Sequence, residues 1–182
     1  EVQAFFTDAG GDHPFFEQIQ WLGTAGLSEG YADGSFQPNA SMSRQAMAAF
    51  LARWIADGEL AACTEAPFTD VPVDHPFCAE IQWMKTSELT AGYADGTFLP
   101  TAIVSRQAGA AFLAKAAGPE LAECTEAPFT DIAVDNPFCS AITSMKDTGI
   151  TTGYADGTFG PNAPMSRQAM AAWVFAAAHL PV

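Results

Sequence analysis

Three short rows of apolar side chains set the period of this chain. Phe15, Ile19 and Leu22 fall at i, i+4 and i+7, and the spacing returns at Phe77, Ile81 and Met84 and at Phe138, Ile142 and Met145. Such spacing lines one face of an α-helix, so each row predicts a helix whose apolar face lies in the core. Each row follows an Asp, a His or Asn, and a Pro (Asp12-His13-Pro14, Asp74-His75-Pro76, Asp135-Asn136-Pro137). Proline suits a first helical turn. A second apolar set, Met47, Phe50, Leu51 and Trp54 in the first copy, runs through an alanine-rich stretch behind Ser43. Ser43, Ser105 and Ser166 stand at the N-cap positions of these predicted second helices. Between the two helices of each copy, Asp-Gly followed by Ser or Thr and Phe reads as a tight turn.

The pattern is one unit written three times. GYADGSFQPNASMSRQAMAAFLAR from Gly30 returns as GYADGTFLPTAIVSRQAGAAFLAK at Gly92 and as GYADGTFGPNAPMSRQAMAAWVFA at Gly153. Each copy opens with FTD, and Asp8, Asp70 and Asp131 are 62 and 61 residues apart. Repeats of that length are supersecondary units, here 1–62, 63–123 and 124–182. One helix-loop-helix unit cannot bury its own apolar face. The expected fold is therefore mainly α, with the three units either packed about an approximate threefold axis or stacked as a short solenoid, and the interlocked, pseudo-threefold single domain is favoured.

Charge changes the picture. Seven Lys and Arg stand against 21 Asp and Glu, for a net charge of −14. That balance argues against unspecific binding to nucleic acid or to an anionic membrane. No run reaches the ~20 apolar residues of a membrane-spanning helix, and since the sequence opens on Glu1 and Val2 without a basic, apolar segment, an export signal is expected to be either absent or already removed. An anionic partner must be met by local, placed charge. Arg44, Arg106 and Arg167, three of the four arginines, each follow an N-cap serine directly. A cation there faces the positive end of the helix dipole, at a cost of ~0.3–1 kcal/mol when exposed. Three arginines beside free helical N–H groups would make three anion sites suited to a carboxylate or phosphate. The alternative is that each arginine pairs with Asp33, Asp95 or Asp156 and only ties loop to helix.

The GYADG segments supply Tyr31, Tyr93 and Tyr154, the three acids just named, and Gly34, Gly96 and Gly157. An aromatic ring, an acceptor for sugar hydroxyls and close backbone approach together suit carbohydrate, and plain turn chemistry with tyrosine as a lid is the competing reading. A calcium loop is disfavoured because the acids do not alternate. Cys63 and Cys78 lie 15 residues apart, as do Cys124 and Cys139, and the matching positions of the first copy, Glu1 and Phe16, lack both members together. Joint loss suits two disulfides and an oxidising compartment. A zinc site drawing on His75 is the weaker reading, since CxxC spacing is absent. His13 and His75 are read as residues that start the helix, because Asn136 replaces them. Trp21 and Trp83 become Ser144 in the third copy and are read as packing or stacking residues. The triplicated serines have no histidine at matching positions in all three copies, so no catalytic site, metal or cofactor is expected.

FTD, DHPF, GYADGTFxP and SRQAMAAFLAR in this order closely resemble three tandem S-layer homology domains over nearly the whole length. That resemblance implies a helix-loop-helix repeat, a pseudo-trimer of three copies, and noncovalent anchoring of a surface protein to a wall polymer, commonly a pyruvylated secondary polysaccharide. The family motif TRAE is matched by Ser43-Arg44-Gln45-Ala46, Ser105-Arg106-Gln107-Ala108 and Ser166-Arg167-Gln168-Ala169, which keep hydroxyl and arginine and lose the acid of a capping box. The implied mechanism docks an acidic sugar on Arg44, Arg106 or Arg167, with the serines and the Asp-Gly turns engaging hydroxyls, at the extracellular surface. Any passenger domain is expected outside this segment. Replacing all three arginines by alanine is expected to abolish retention on purified walls and leave circular dichroism unchanged. A protein-interaction module or a self-assembling surface-layer subunit are the competing functions.

Overall fold

The computed structural model describes residues 4–56, 59–118, 121 and 123–180. Among these described residues six helices carry the fold: α1 (Phe16–Thr24), α2 (Arg44–Ile55), α3 (Cys78–Thr86), α4 (Arg106–Ala116), α5 (Cys139–Asp147) and α6 (Arg167–Ala178). Among the described residues, β pairing is limited to isolated bridges. The protein is mainly helical and built of three repeats, as the apolar periodicity predicts.

The first helices begin at Phe16, Cys78 and Cys139, two residues beyond the prolines rather than at them. A tight turn fills the gap, closed by His13 N–H to Gly10 O at 2.8 Å and Phe16 N–H to His13 O at 2.9 Å. His13 and His75 accept the N–H of Phe15 and Phe77 on Nδ1, and Asn136 accepts that of Phe138 on Oδ1. The helix-starting role read for these residues therefore holds. One consequence differs from expectation: Phe15, Phe77 and Phe138 are only half-buried, and the core rows begin one turn later at Ile19, Ile81 and Ile142.

The chain forms two compact units, one of Met42–Val104 and one of Glu1–Ser41 with Ser105–Val182. In the first, α2 packs on α3. In the second, α4 packs on α5, α6 packs on α1, and α4 also touches α6. In every pair a second helix meets the first helix of another repeat, with Met47, Leu51, Leu113, Met170 and Val174 fully buried in the faces so formed. Burying a side chain of this size gains about 1.5–3 kcal/mol, and a lone repeat has no second surface against which to realise it.

Each inter-helix loop is built around an aromatic pair. Phe6 packs on Phe36, Phe68 on Phe98 and Phe129 on Phe159, with centroids 5.2, 5.4 and 5.5 Å apart. Gly30 sits at φ 72° with its α-carbon against the Phe6 ring and the Ser35 carbonyl, so any side chain would collide as well as strain the backbone. Gly92 and Gly153 repeat the arrangement on Phe68 and Phe129. Both disulfides are present, Cys63 with Cys78 and Cys124 with Cys139, each with Cα atoms 5.7 Å apart. In the first repeat Phe16 stands half-buried at the second cysteine position, while Glu1 lies outside the described residues.

Candidate functional site

The three serines cap their helices as the sequence requires. Ser43 Oγ accepts the Ala46 N–H, Ser105 Oγ that of Ala108 and Ser166 Oγ that of Ala169, each at 3.3 Å. With serine at the N-cap, arginine occupies the first helical position, glutamine the second and alanine the third. A capping box needs its acid at the third position. Here that residue is alanine, and only its N–H is engaged.

The helical N–H groups expected to be free are taken. Arg44 N–H donates to Ala102 O and Gln45 N–H to Pro100 O. Arg106 and Gln107 donate likewise to Ala163 and Pro161, and Arg167 and Gln168 to Ala40 and Pro38, all at 2.8–3.0 Å. A loop of another repeat thus lies across each helix N-terminus and takes the place the sequence reading gave to an anion.

The arginines are structural as well as charged. Their Nε atoms donate to main-chain carbonyls in another repeat: Arg44 to Phe98 at 2.6 Å, Arg106 to Phe159 at 2.8 Å and Arg167 to Phe36 at 2.6 Å. The Arg44 guanidinium lies over Tyr93 and Phe98, that of Arg167 over Tyr31 and Phe36, and that of Arg106 over three rings, Tyr154, Phe159 and Trp173, all at 4.5–5.0 Å from the centroids. The side chains are only 7–8% exposed. Burial lowers each guanidinium pKa from its ordinary value, and the nearby Tyr and the Asp of the FTD segment act the other way. Arginine remains charged at neutral pH through a shift of this kind. A hydrogen bond to a charged group is worth about 1.5–3 kcal/mol, so an Arg→Ala change removes a structural bond. The expectation of an unchanged fold in the triple alanine variant is corrected accordingly.

Asp33, Asp95 and Asp156 turn back on their own loops. Oδ1 of each accepts both the N–H and the hydroxyl of Ser35, Thr97 or Thr158, at 2.6–3.0 Å. These bonds hold the carboxylate pKa values below the ordinary 3.8. Gly34, Gly96 and Gly157, at φ 78–82°, close the turn by donating to the carbonyls of Tyr31, Tyr93 and Tyr154. The turn leaves the tyrosine rings 43–47% exposed above the arginines.

One groove brings several of these groups together. A concavity of about 400 Å³ is lined by Phe15, Arg106, Tyr154, Ser166, Gln168 and Trp173, with Gly153 at its edge. Asp156 and Gly157 do not line it. Trp21 belongs elsewhere, edge-on to Phe175 and His179.

Two contributions were not legible beforehand. Trp173 lies 5.0 Å from the Arg106 guanidinium and flanks the groove, and its only sequence signal is Trp where the other repeats have Phe50 and Phe112. Asp8, Asp70 and Asp131 hold the loop that receives the arginine. Asp131, for example, accepts the Phe159 and Gly160 N–H groups on its two oxygens at 2.7 and 2.8 Å. The glutamines that replace the motif's usual pattern bond to asparagine: Gln107 Nε2 donates to Asn162 Oδ1 and Gln168 Nε2 to Asn39 Oδ1.

The comparisons agree with this repeat-by-repeat geometry. A family model described as S-layer homology domain matches residues 5–48, 67–108 and 128–171. Cell surface glycoprotein 1 of Acetivibrio thermocellus is 31% identical over an alignment of 149 residues that covers 72% of this chain and 6% of that protein's length. Three matched copies, each holding the serine cap and the arginine that staples it to another repeat, make the conclusion plain: the chain belongs to the S-layer homology domain family, whose place is the extracellular surface of the cell.

Proposed function

We propose that this chain anchors the protein carrying it to the bacterial cell wall by noncovalent binding of an acidic, carboxylate-bearing wall polysaccharide, without turnover. The observation that carries the proposal is the groove in which Arg106, half-sandwiched by Tyr154 and Trp173, meets Ser166 and Gln168 in a chain of net charge −14. A fixed cation between aromatic faces suits a sugar ring bearing an acid: the ring stacks on tyrosine or tryptophan while the carboxylate meets the guanidinium. Because the helix N–H groups are occupied, the ligand's polar contacts fall to the guanidinium, the Gln168 amide and the Tyr154 hydroxyl. Arg44 with Tyr93, and Arg167 with Tyr31, are proposed to bind in the same manner, with Asp33, Asp95 and Asp156 shaping the turns rather than touching sugar.

The test avoids the stapling bond. Tyr154→Ala with Gln168→Ala changes two groove side chains and leaves Arg106 bonded to Phe159. Retention on purified walls should fall about tenfold with circular dichroism unchanged, and walls stripped of their acidic polymer should retain neither protein. Equal retention of variant and wild type on intact walls would overturn the assignment. Sheet assembly by the wild type in size-exclusion chromatography, without wall retention, would favour a surface-layer subunit instead.

A further inference from the structure

A predominantly apolar pocket of about 260 Å³ lies between α4 and α5 and adjoins the Arg106 groove at Ile150, which lines both. Its lining includes Ser144, Ala114, Gly118, Leu121, Ile150 and Leu180. Three of these positions have a shared history of use in the repeats. Ser144 corresponds to Trp21 on α1, while Ala114 and Gly118, eight and twelve residues after Arg106, correspond to Phe175 and His179, eight and twelve after Arg167. In the α1–α6 pair those three side chains form one cluster. Trp21 stands edge-on to Phe175 and His179 at 5.4 and 5.3 Å, and the latter two stack at 4.2 Å. In the α2–α3 pair the positions hold Trp83, Ala52 and Ala56, so an indole remains. Only the α4–α5 pair has lost all three large groups together, and the pocket stands where the cluster would be.

We propose that this pocket is a binding site for a small planar aromatic molecule of about indole size. The ligand class follows from the other two helix pairs, in which a tryptophan, Trp21 or Trp83, stands at the position of Ser144. The volume suffices, since apolar cavities of roughly 150 Å³ take up benzene. The chemistry also fits. The walls are mostly apolar groups of alanine, leucine, isoleucine and Met145, the polar groups of Ser144, Thr148 and Asp147 lie within the lining, and among the described residues no Lys or Arg contributes to it. A predominantly apolar pocket with a few polar groups is the usual form of a small-molecule site. The proposal is independent of wall binding.

Indole itself is the probe. Added to the wild-type protein, it should raise the thermal midpoint by several degrees and shift the amide resonances of α4 and α5, leaving those of α2 and α3 in place. Ser144→Trp should supply the missing group internally, raise the midpoint without ligand and weaken indole binding at least tenfold. Should that variant fold poorly, Ala114→Leu closes the pocket from the opposite helix and should weaken binding likewise. Absence of binding to the wild type, or equal binding by wild type and both plugged variants, would overturn the proposal.

Discussion

The α1–α6 and α4–α5 pairs bury corresponding faces by different means. α1 has no disulfide at its start, and its pair is filled with large groups: Trp21 against Phe175 and His179, and Phe5 seated on Gly23, where a side chain would collide with the ring. α5 begins at a disulfide-bonded cysteine, carries Lys146 in the position of Gly23, donating to the Pro128 carbonyl at 2.5 Å, and leaves a pocket where the aromatic cluster would be. Aromatic packing in the one pair and a covalent link in the other thus hold a nine-residue helix, too short to be stable alone, against its partner, and α3, with both Trp83 and the Cys63–Cys78 link, combines the two devices. One route fills space; the other restrains the unfolded chain and tolerates a void.

The largest expected effect breaks the aromatic side of this comparison. Trp21→Ala should cost about 3–4 kcal/mol in denaturant unfolding, whereas Ser144→Ala, at the same repeat position, should stay within ~0.5 kcal/mol. Equal losses would mean that the two pairs are held alike. Next comes the covalent side: replacing Cys124 and Cys139 by serine opens a 15-residue link and should cost about 3 kcal/mol. Hydrogen exchange should then accelerate in α5 while α1 keeps its protection, and uniform acceleration would refute the division of labour. A smaller effect sharpens what the pairs share. Ser166→Ala should cost about 1 kcal/mol through loss of the cap, matching Ser105→Ala, because both helices start identically. The smallest effect is expected from acid. Asp33 and Asp156 both have depressed pKa values, so their turn bonds contribute above the ordinary 3.8 and are lost as pH falls through the lower folded values. Chemical shifts of the two turns should therefore titrate together below about pH 4, and divergent titration would show that the loops are not equivalent.

Much of this was readable from spacing and residue type. The serine caps, the aspartate-glycine turns, the histidines at the helix starts and the paired cysteines each depend on atoms within a few residues or on a repeat-wide co-occurrence, and these are visible in a string. The arginines show where reading stops. Their position one residue after the cap is local and was legible, as was the dipole penalty. The compensation was not, because the Phe98, Phe159 and Phe36 carbonyls that receive Nε lie in other repeats, 54, 53 and 131 residues away. The same loops consume the helical N–H groups and so convert an apparent anion site into a joint. Phe15 misled for a related reason: its helical phase is correct, but its place at the start of α1 leaves it at the groove rather than in the core.

Sequence by itself determined the repeat, the helices and the inventory of each loop, since periodicity, capping and turn chemistry act over a few residues. Tertiary structure decided which helix meets which, what each arginine bonds and where space is left empty. Apolar faces are nearly interchangeable in a string, whereas burial, carbonyl direction and the coincidence of Ser144 with Ala114 and Gly118 exist only once the chain is closed on itself.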